Sequence, residues 1–405
     1  MLQEIGTIQQ FYRLMKETGE VRRRLVARIM EGRSAVPPDS ERLGSYLQAL
    51  KRIPRRHGRY QLSTGLSGSQ RSLYLELDYE IDELEKDLVF FQYGEQALLD
   101  HLAGLHTGFQ EELSGAAQFC RDMSLPLNCL VSDRDGTVNN YCGRYLSSIQ
   151  SAYNAVFLSR FAEKAVRRAV LLTSAPLSNG GLEELTVSPP GNFILAGSKG
   201  REYLDQRGRR GALAIEAGKQ EQLQRLNRRL ADLLQDPRYR LFDLIGSGLQ
   251  FKFGQTTVAR QDIYGSIPKA ESEAFAGVIQ RLIREIDPDR LYFRTEDTGK
   301  DIEIILTVEG ESGLKDFDKG DGVLFLDSEL GLDLSRGGNL VCGDTASDLP
   351  MVSAAAKQSA NLWTIFVSRD ESLQARLRRI CERAHFVSEP DVLVCLLNRM
   401  GREMG

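Results

Sequence analysis

Asp133-Arg134-Asp135-Gly136-Thr137 places two carboxylates two residues apart, directly after the apolar run 127–132. A sharp turn after a strand can bring both to one reacting centre, and Gly136 permits that turn. A second acidic pair, Asp344 and Asp348, follows the apolar run 339–342 within Gly-Asp-Thr-Ala-Ser-Asp. Four residues apart across a strand-to-helix junction, these carboxylates could share a hard cation with the first pair. Mg²⁺ takes oxygen ligands and keeps several waters, so two or three protein oxygens suffice. Helix capping is the other use for such a pair. Thr173 ends a further apolar run, 169–173, where its hydroxyl could donate to a phosphoryl oxygen or cap a turn. Lys319 could neutralise phosphate charge at the same pole.

These groups need a scaffold that gathers strand ends. The runs 127–132, 169–173, 339–342 and 362–367 read as buried strands, with helical stretches such as 148–167 between or beside them. That alternation predicts a parallel sheet, whose ligands sit beyond the carboxyl ends of the strands. All three polar clusters fall there. The stretch 207–311 breaks the alternation. Helices are expected near 213–234 and 269–285, and strands near 244–253, 256–263, 291–295 and 302–308, so it reads as an inserted α+β unit.

Residues 1–125 read as helical throughout. Ile8, Phe11, Met15, Thr18, Val21, Leu25 and Ile29 form one stripe. A second runs from Leu73 to Phe91 and a third from Leu98 to Leu113. Val36-Pro37-Pro38 breaks the first helix. An antiparallel bundle follows, suited to structure or self-association. Every candidate catalytic group lies after Pro126, so this bundle is expected to affect association or stability more than chemistry. The basic run Lys51–Arg59 between its helices reads as a solvated loop, or else as a patch for an acidic partner.

Composition narrows the function classes. Of 405 residues, 41% are hydrophobic and 27% charged, as in a soluble globular protein of two or three domains. A net charge of -4 argues against bulk nucleic-acid or membrane binding. No apolar run reaches the ~18 residues of a membrane span, and the first 20 residues lack a secretory core. Six cysteines with no CxxC pair suit reduced thiols and a cytoplasmic location. The four histidines lie in no metal or triad setting, which leaves chemistry to carboxylates, hydroxyls and lysines.

The order Asp133/Asp135, Thr173, Lys319, Asp344/Asp348 resembles the haloacid dehalogenase superfamily of phosphotransferases, in which a large insert before the lysine is an α+β cap. The stretches VSDRDGTVNNYCGRYLSSIQSAYNAVFLSRFA, LLTSAPL, GSKGREYL, IGSGLQFKF and CGDTASDLPMV narrow this. They are similar to trehalose-6-phosphate phosphatases of the nematode type, which carry a helical N-terminal domain. The resemblance covers nearly the whole chain. It implies a multi-domain protein with an N-terminal α-helical bundle (1–125), an α/β Rossmann-like core (126–206 and 312–405) and an inserted cap (207–311). It further implies a Mg²⁺-dependent phosphatase that hydrolyses trehalose 6-phosphate to trehalose and phosphate through an aspartyl-phosphate, with Asp133 as nucleophile and Asp135 as general acid and base. Thr173 and Lys319 would hold the phosphoryl oxygens. Asp133, the Asp135 backbone carbonyl and Asp344 would hold the metal, with Asp348 as ligand or supporting partner. Gln250, Lys252 and Glu303 would read the sugar rings, with Arg201 and Glu202 at the seam between core and cap. The alternatives are a related phosphatase or phosphomutase acting on another sugar phosphate, and an interaction protein with a vestigial site.

Overall fold

The protein is described from a computed structural model, which covers residues 4–34, 37–66, 71–310 and 313–404. The N-terminal region holds α1 (Ile8–Met30), α2 (Pro37–Lys51), β1 (Arg55–Arg56), β2 (Arg59–Ser63), β3 (Ser72–Leu75), α3 (Asp78–Leu105) and α4 (Phe109–Phe119). The first stripe is a helix as expected, closed at its start by a capping box between Thr7 and Gln10. The reading of 1–125 as helical throughout is corrected by the three antiparallel strands β1–β2–β3. The basic run turns at His57-Gly58, both with positive φ, to form the first hairpin. Leu73, counted into the second helical stripe, lies in β3, where burial alternates every second residue.

The next segment runs through β4 (Leu127–Ser132), α5 (Ala152–Lys164), β5 (Val166–Leu172), α6 (Leu182–Leu185), β6 (Ile194–Gly197), β7 (Glu202–Leu204) and β8 (Arg210–Ala212). Then come α7 (Ala217–Gln235), β9 (Leu249–Lys252), β10 (Gln255–Ala259), α8 (Lys269–Ile286), β11 (Phe293–Asp297) and β12 (Asp301–Leu306). A short hairpin, β13 (Val308–Gly310) and β14 (Gly313–Lys315), leads back to α9 (Lys319–Leu330). The chain finishes with β15 (Asn339–Gly343), α10 (Leu349–Gln358), β16 (Leu362–Val367), α11 (Glu371–Ile380), β17 (Ala384–Val387) and α12 (Pro390–Glu403).

The eight-stranded sheet has the order β17-β16-β15-β4-β5-β6-β7-β8. The pairs from β17 to β6 are parallel, and β7 and β8 add an antiparallel edge. The expected sheet is therefore present, with β4 at its middle and α5 and α12 packed together on one face. β8 still pairs with this sheet, so the excursion away from it begins after Ala212, later than residue 207. The excursion forms a separate antiparallel sheet, β11-β12-β10-β9, backed by α7 and α8. The strand expected over 244–253 is shorter because Gly246 and Gly248 take positive φ before it and Gly254 after it.

The N-terminal region packs on the core through charge as well as hydrocarbon. Arg22 of α1 and Asp87 of α3 meet at 2.6 Å with both side chains fully buried. Asp87 also accepts from the backbone N–H groups of Ala152 and Tyr153 at 2.7 and 3.1 Å. It thereby caps α5 from a different helix, satisfying donors that a helix start leaves free. All six cysteines are buried and unpaired. No described helix is long and apolar enough to cross a membrane.

Candidate active site

The register of the sheet brings the first cluster together. Ser132 at the end of β4 pairs with Leu171 on β5 and with Cys342 on β15. Asp133, Thr173 and Asp344 therefore follow on three adjacent parallel strands, at the end where such sheets bind ligands. The Asp133 N–H donates to the Cys342 carbonyl at 3.0 Å, which extends the ladder to the carboxylate itself.

Lys319 starts α9 and is buried. Its Nζ lies 2.7 Å from Asp133 Oδ1 and 2.6 Å from Asp348 Oδ1. The Asp348 Oδ2 accepts from the N–H groups of Asp344 and Thr345 at 3.1 and 3.0 Å and from the Thr345 hydroxyl at 3.1 Å. α9 is set close by backbone contact, because a Cβ at Gly322 would run into the Lys199 carbonyl. Gly136, at φ +87°, is needed twice over: for that φ, and because a Cβ there would strike the Asp344 carboxylate. Thr137, inside the first motif, donates to Asp344 Oδ1 at 3.2 Å. Thr173 uses its hydroxyl oxygen to accept the Ala175 N–H at 3.2 Å, which leaves its proton for another acceptor.

Carboxylate oxygens of Asp133, Asp344 and Asp348 lie within 4.8 Å of one another. Burial, with the Asp348 charge opposing Lys319, pushes the Asp133 carboxyl up to about 6. Burial and then the charges of Asp133 and Asp348 push Asp344 up to about 8. Burial would raise Asp348 too, but Lys319 and the two backbone N–H groups hold it below the usual carboxylate range. Burial would lower Lys319, and the charges of Asp133 and Asp348 more than offset it. Three carboxylates thus crowd around one ammonium, an all-oxygen donor set with surplus negative charge. That fits a hard divalent cation such as Mg²⁺.

Asp135 stands apart from this triad, with its side chain 24% exposed. Its Oδ1 accepts from the Arg134 guanidinium and, at 2.8 Å, from Ser148 Oγ. Ser148 was not singled out in the sequence, since it is 13 residues from its partner and lies outside the acidic motif.

The second sheet presents a polar face. Gln250, Thr257 and Glu303 are directly opposite one another on β9, β10 and β12. Lys252 pairs with Gln255 in the next row. Gln250 and Lys252 are both buried. Lys252 is lowered by burial, with Glu303 opposing and Lys199 of the core adding to the shift. Gln255 donates to Glu303 at 2.6 Å. Thr257 Oγ1 and Asp301 Oδ1 are buried without a hydrogen-bond partner. Gln255 and Thr257 were missed in the sequence because only the register puts them on this face.

Of the two residues expected at the seam, Arg201 reaches the second sheet, whereas, among the described residues, Glu202 bonds only within the core. Arg201 is buried, donates to the Gly254 carbonyl at 2.7 Å and covers the Phe317 ring, while its Nε and one terminal nitrogen have no partner. Glu202 accepts from Ser198 Oγ at 2.6 Å and from the Leu177 N–H at 3.0 Å.

Comparison with known proteins agrees with this layout. Residues 130–393 match the family described as trehalose-6-phosphate phosphatase, C-terminal. Residues 7–103 match the trehalose-6-phosphate phosphatase N-terminal helical bundle domain. A trehalose-phosphatase of Caenorhabditis briggsae is 31% identical over 304 residues, 71% of this chain and 68% of that protein. One of Brugia malayi is 32% identical over 284 residues, 67% of this chain and 56% of that protein. A UDP-forming alpha,alpha-trehalose-phosphate synthase of Aphelenchoides avenae is 32% identical over 411 residues, 96% of this chain but 35% of that protein. The chain thus spans about a third of the length of the first curated relatives it matches. With both family matches falling on a core, an inserted sheet and an N-terminal bundle in the expected order, the chain belongs to the trehalose-6-phosphate phosphatase family.

Proposed function

We propose that the chain hydrolyses trehalose 6-phosphate to trehalose and phosphate through an aspartyl-phosphate on Asp133. The observation that carries this reading is the meeting of Asp133, Lys319, Asp344 and Asp348 at adjacent strand ends. Relatives named trehalose-phosphatase supply the substrate.

An Asp133 oxygen attacks phosphorus as the bond from phosphorus to the sugar oxygen breaks, and Asp135 gives its proton to that leaving oxygen. Asp135 then takes a proton from water, whose oxygen displaces Asp133 and releases phosphate. Thr173 and Lys319 donate to the phosphoryl oxygens, stabilising charge in each displacement. Asp133, the Asp135 carbonyl and Asp344 would hold Mg²⁺, with Asp348 as ligand or support. The ion would offset the repulsion between carboxylate and phosphate. Gln250, Lys252 and Glu303 read the glucose hydroxyls, joined by Gln255 and Thr257, and Arg201 keeps two donors available at the seam. Unpaired polar groups of this kind penalise a wrong sugar.

Phosphate release from a panel of sugar phosphates, with and without Mg²⁺, tests the reading. Preference for trehalose 6-phosphate supports it. Preference for glucose 6-phosphate, or isomerisation in place of release, would replace it with another member of the superfamily's reactions.

A further inference from the structure

Asp135 is anchored by one oxygen, and the anchor leads out of the core. The serine that donates to its Oδ1, Ser148, sits on the connection between β4 and α5. Ser148 Oγ has one proton and two lone pairs. Arg134 donates to it at 3.1 Å and Asn139 Nδ2 lies 3.3 Å away, so its own proton is left for Asp135. This connection rests on α3 of the N-terminal region. The Tyr79 hydroxyl donates to the Ile149 carbonyl at 3.0 Å, one residue after Ser148. The same phenol oxygen lies 3.1 Å from Asn139 Nδ2. Burial, and then the Glu83 charge, keep the Tyr79 phenol well above its ordinary range, so it remains a donor. One residue on, Glu80 accepts from Arg144 at 2.8 and 2.9 Å and from Ser147 Oγ at 2.6 Å.

We propose that Tyr79, Asn139 and Ser148 are positioning residues through which α3 orients Asp135, so that its second oxygen faces the leaving group. The N-terminal region then takes part in proton transfer without touching substrate. This rests on the acid and base role given to Asp135 above. The contrasting view is that these contacts only pack α3 against the core.

The two views differ in leaving-group dependence. A sugar alkoxide must be protonated as it departs, whereas p-nitrophenolate needs little help. Loss of Asp135 orientation therefore lowers kcat/KM for the sugar phosphate selectively, because hydrolysis of the aspartyl-phosphate, which also uses Asp135, comes after the leaving group has gone and enters kcat alone. Loss of packing slows both.

The test uses the full chain with Ser148→Ala and Tyr79→Phe. Each is assayed on p-nitrophenyl phosphate and on the sugar phosphate that the unmodified chain turns over best. For Ser148→Ala, kcat/KM on the sugar phosphate should fall about tenfold to a hundredfold, with kcat/KM on p-nitrophenyl phosphate changed less than about threefold. Tyr79→Phe should move the same ratio by about threefold to tenfold. Tyr79→Phe removes a single oxygen, so it decides the matter if Ser148→Ala fails to fold. Equal losses on both substrates, or no loss, overturn the proposal. An unmodified chain that prefers another sugar phosphate overturns the substrate reading alone, and the ratio still judges the positioning. A chain that hydrolyses no ester overturns both.

Discussion

Lys86 on α3 and Asp391 on α12 are 305 residues apart in sequence and meet at 2.8 Å, both nearly inaccessible to water. Lys86 also holds Glu83 at 2.8 Å, and Asp391 takes further hydrogen bonds from His106, Asn140 and Tyr153. Burial alone would raise Asp391, but the Lys86 charge and the bonds from His106, Lys86 and Tyr153 hold its carboxyl far below the usual range. A carboxyl depressed in the folded state stabilises the protein fully above its unfolded value, about 3.9, and loses that contribution as pH falls through the folded value. Unfolding free energy should therefore drop below about pH 4. Asp391→Asn should be less stable at pH 7 and show a shallower acid dependence. Denaturant titrations at pH 7 and below decide this, and identical slopes would show that Asp391 does not carry the effect.

Lys86→Ala leaves Asp391 and Glu83 buried without their cation. It should cost about 3–5 kcal/mol, as breaking one side of a buried pair does. A loss under about 1 kcal/mol would mean that water or His106 replaces the ammonium, on the scale of an exposed pair.

Removing residues 1–120 takes away Lys86, the Asp87 cap on α5, the Glu80 partner of Arg144 and Tyr79. On the sequence alone, with every candidate catalytic group after Pro126, such a deletion is expected to affect association or stability more than chemistry. The contacts of α3 lead us to expect more: soluble yield and melting temperature should fall, and sugar-phosphate turnover should drop at least about tenfold. A stable fragment with full activity would reduce these contacts to packing.

Asp133→Asn should reduce phosphate release to background while circular dichroism stays unchanged, because an amide cannot form the phosphoenzyme. Lys319 keeps Asp348 at 2.6 Å, so its charge is not stranded. EDTA should also abolish turnover and Mg²⁺ restore it. Mg²⁺ should raise the melting temperature of the unmodified chain by binding only the folded state, and should do so much less in Asp344→Asn. Activity in excess EDTA would remove the metal from the mechanism.

Lys252→Ala should lower kcat/KM for trehalose 6-phosphate by about tenfold or more, the effect of a lost charge-assisted contact of about 1.5–3 kcal/mol. Thr257→Val, which removes a buried hydroxyl that has no protein partner, should lower it in the same direction. Hydrolysis of p-nitrophenyl phosphate should change little in either variant. Equal losses on both substrates would move Lys252 into the phosphoryl site or the fold.

The acidic motifs, the strands that deliver them and the inserted unit were legible in the sequence because each is local. Asp133 follows its strand directly, Asp344 follows β15, and the first helix shows its buried face at steps of three and four. The strands β1–β3 were not legible, since short half-buried strands beside long helical stripes offer too few alternations to outweigh them. Only the tertiary structure decided which face of the second sheet carries Thr257 and Gln255, because register depends on pairing partners that are distant in sequence. It alone also brought Tyr79 to the connection that carries Ser148, and Lys86 to Asp391. Hydrogen bonds and buried charges act over about 3 Å in space whatever their separation along the chain, and no local pattern marks a polar residue that will find its partner across the fold.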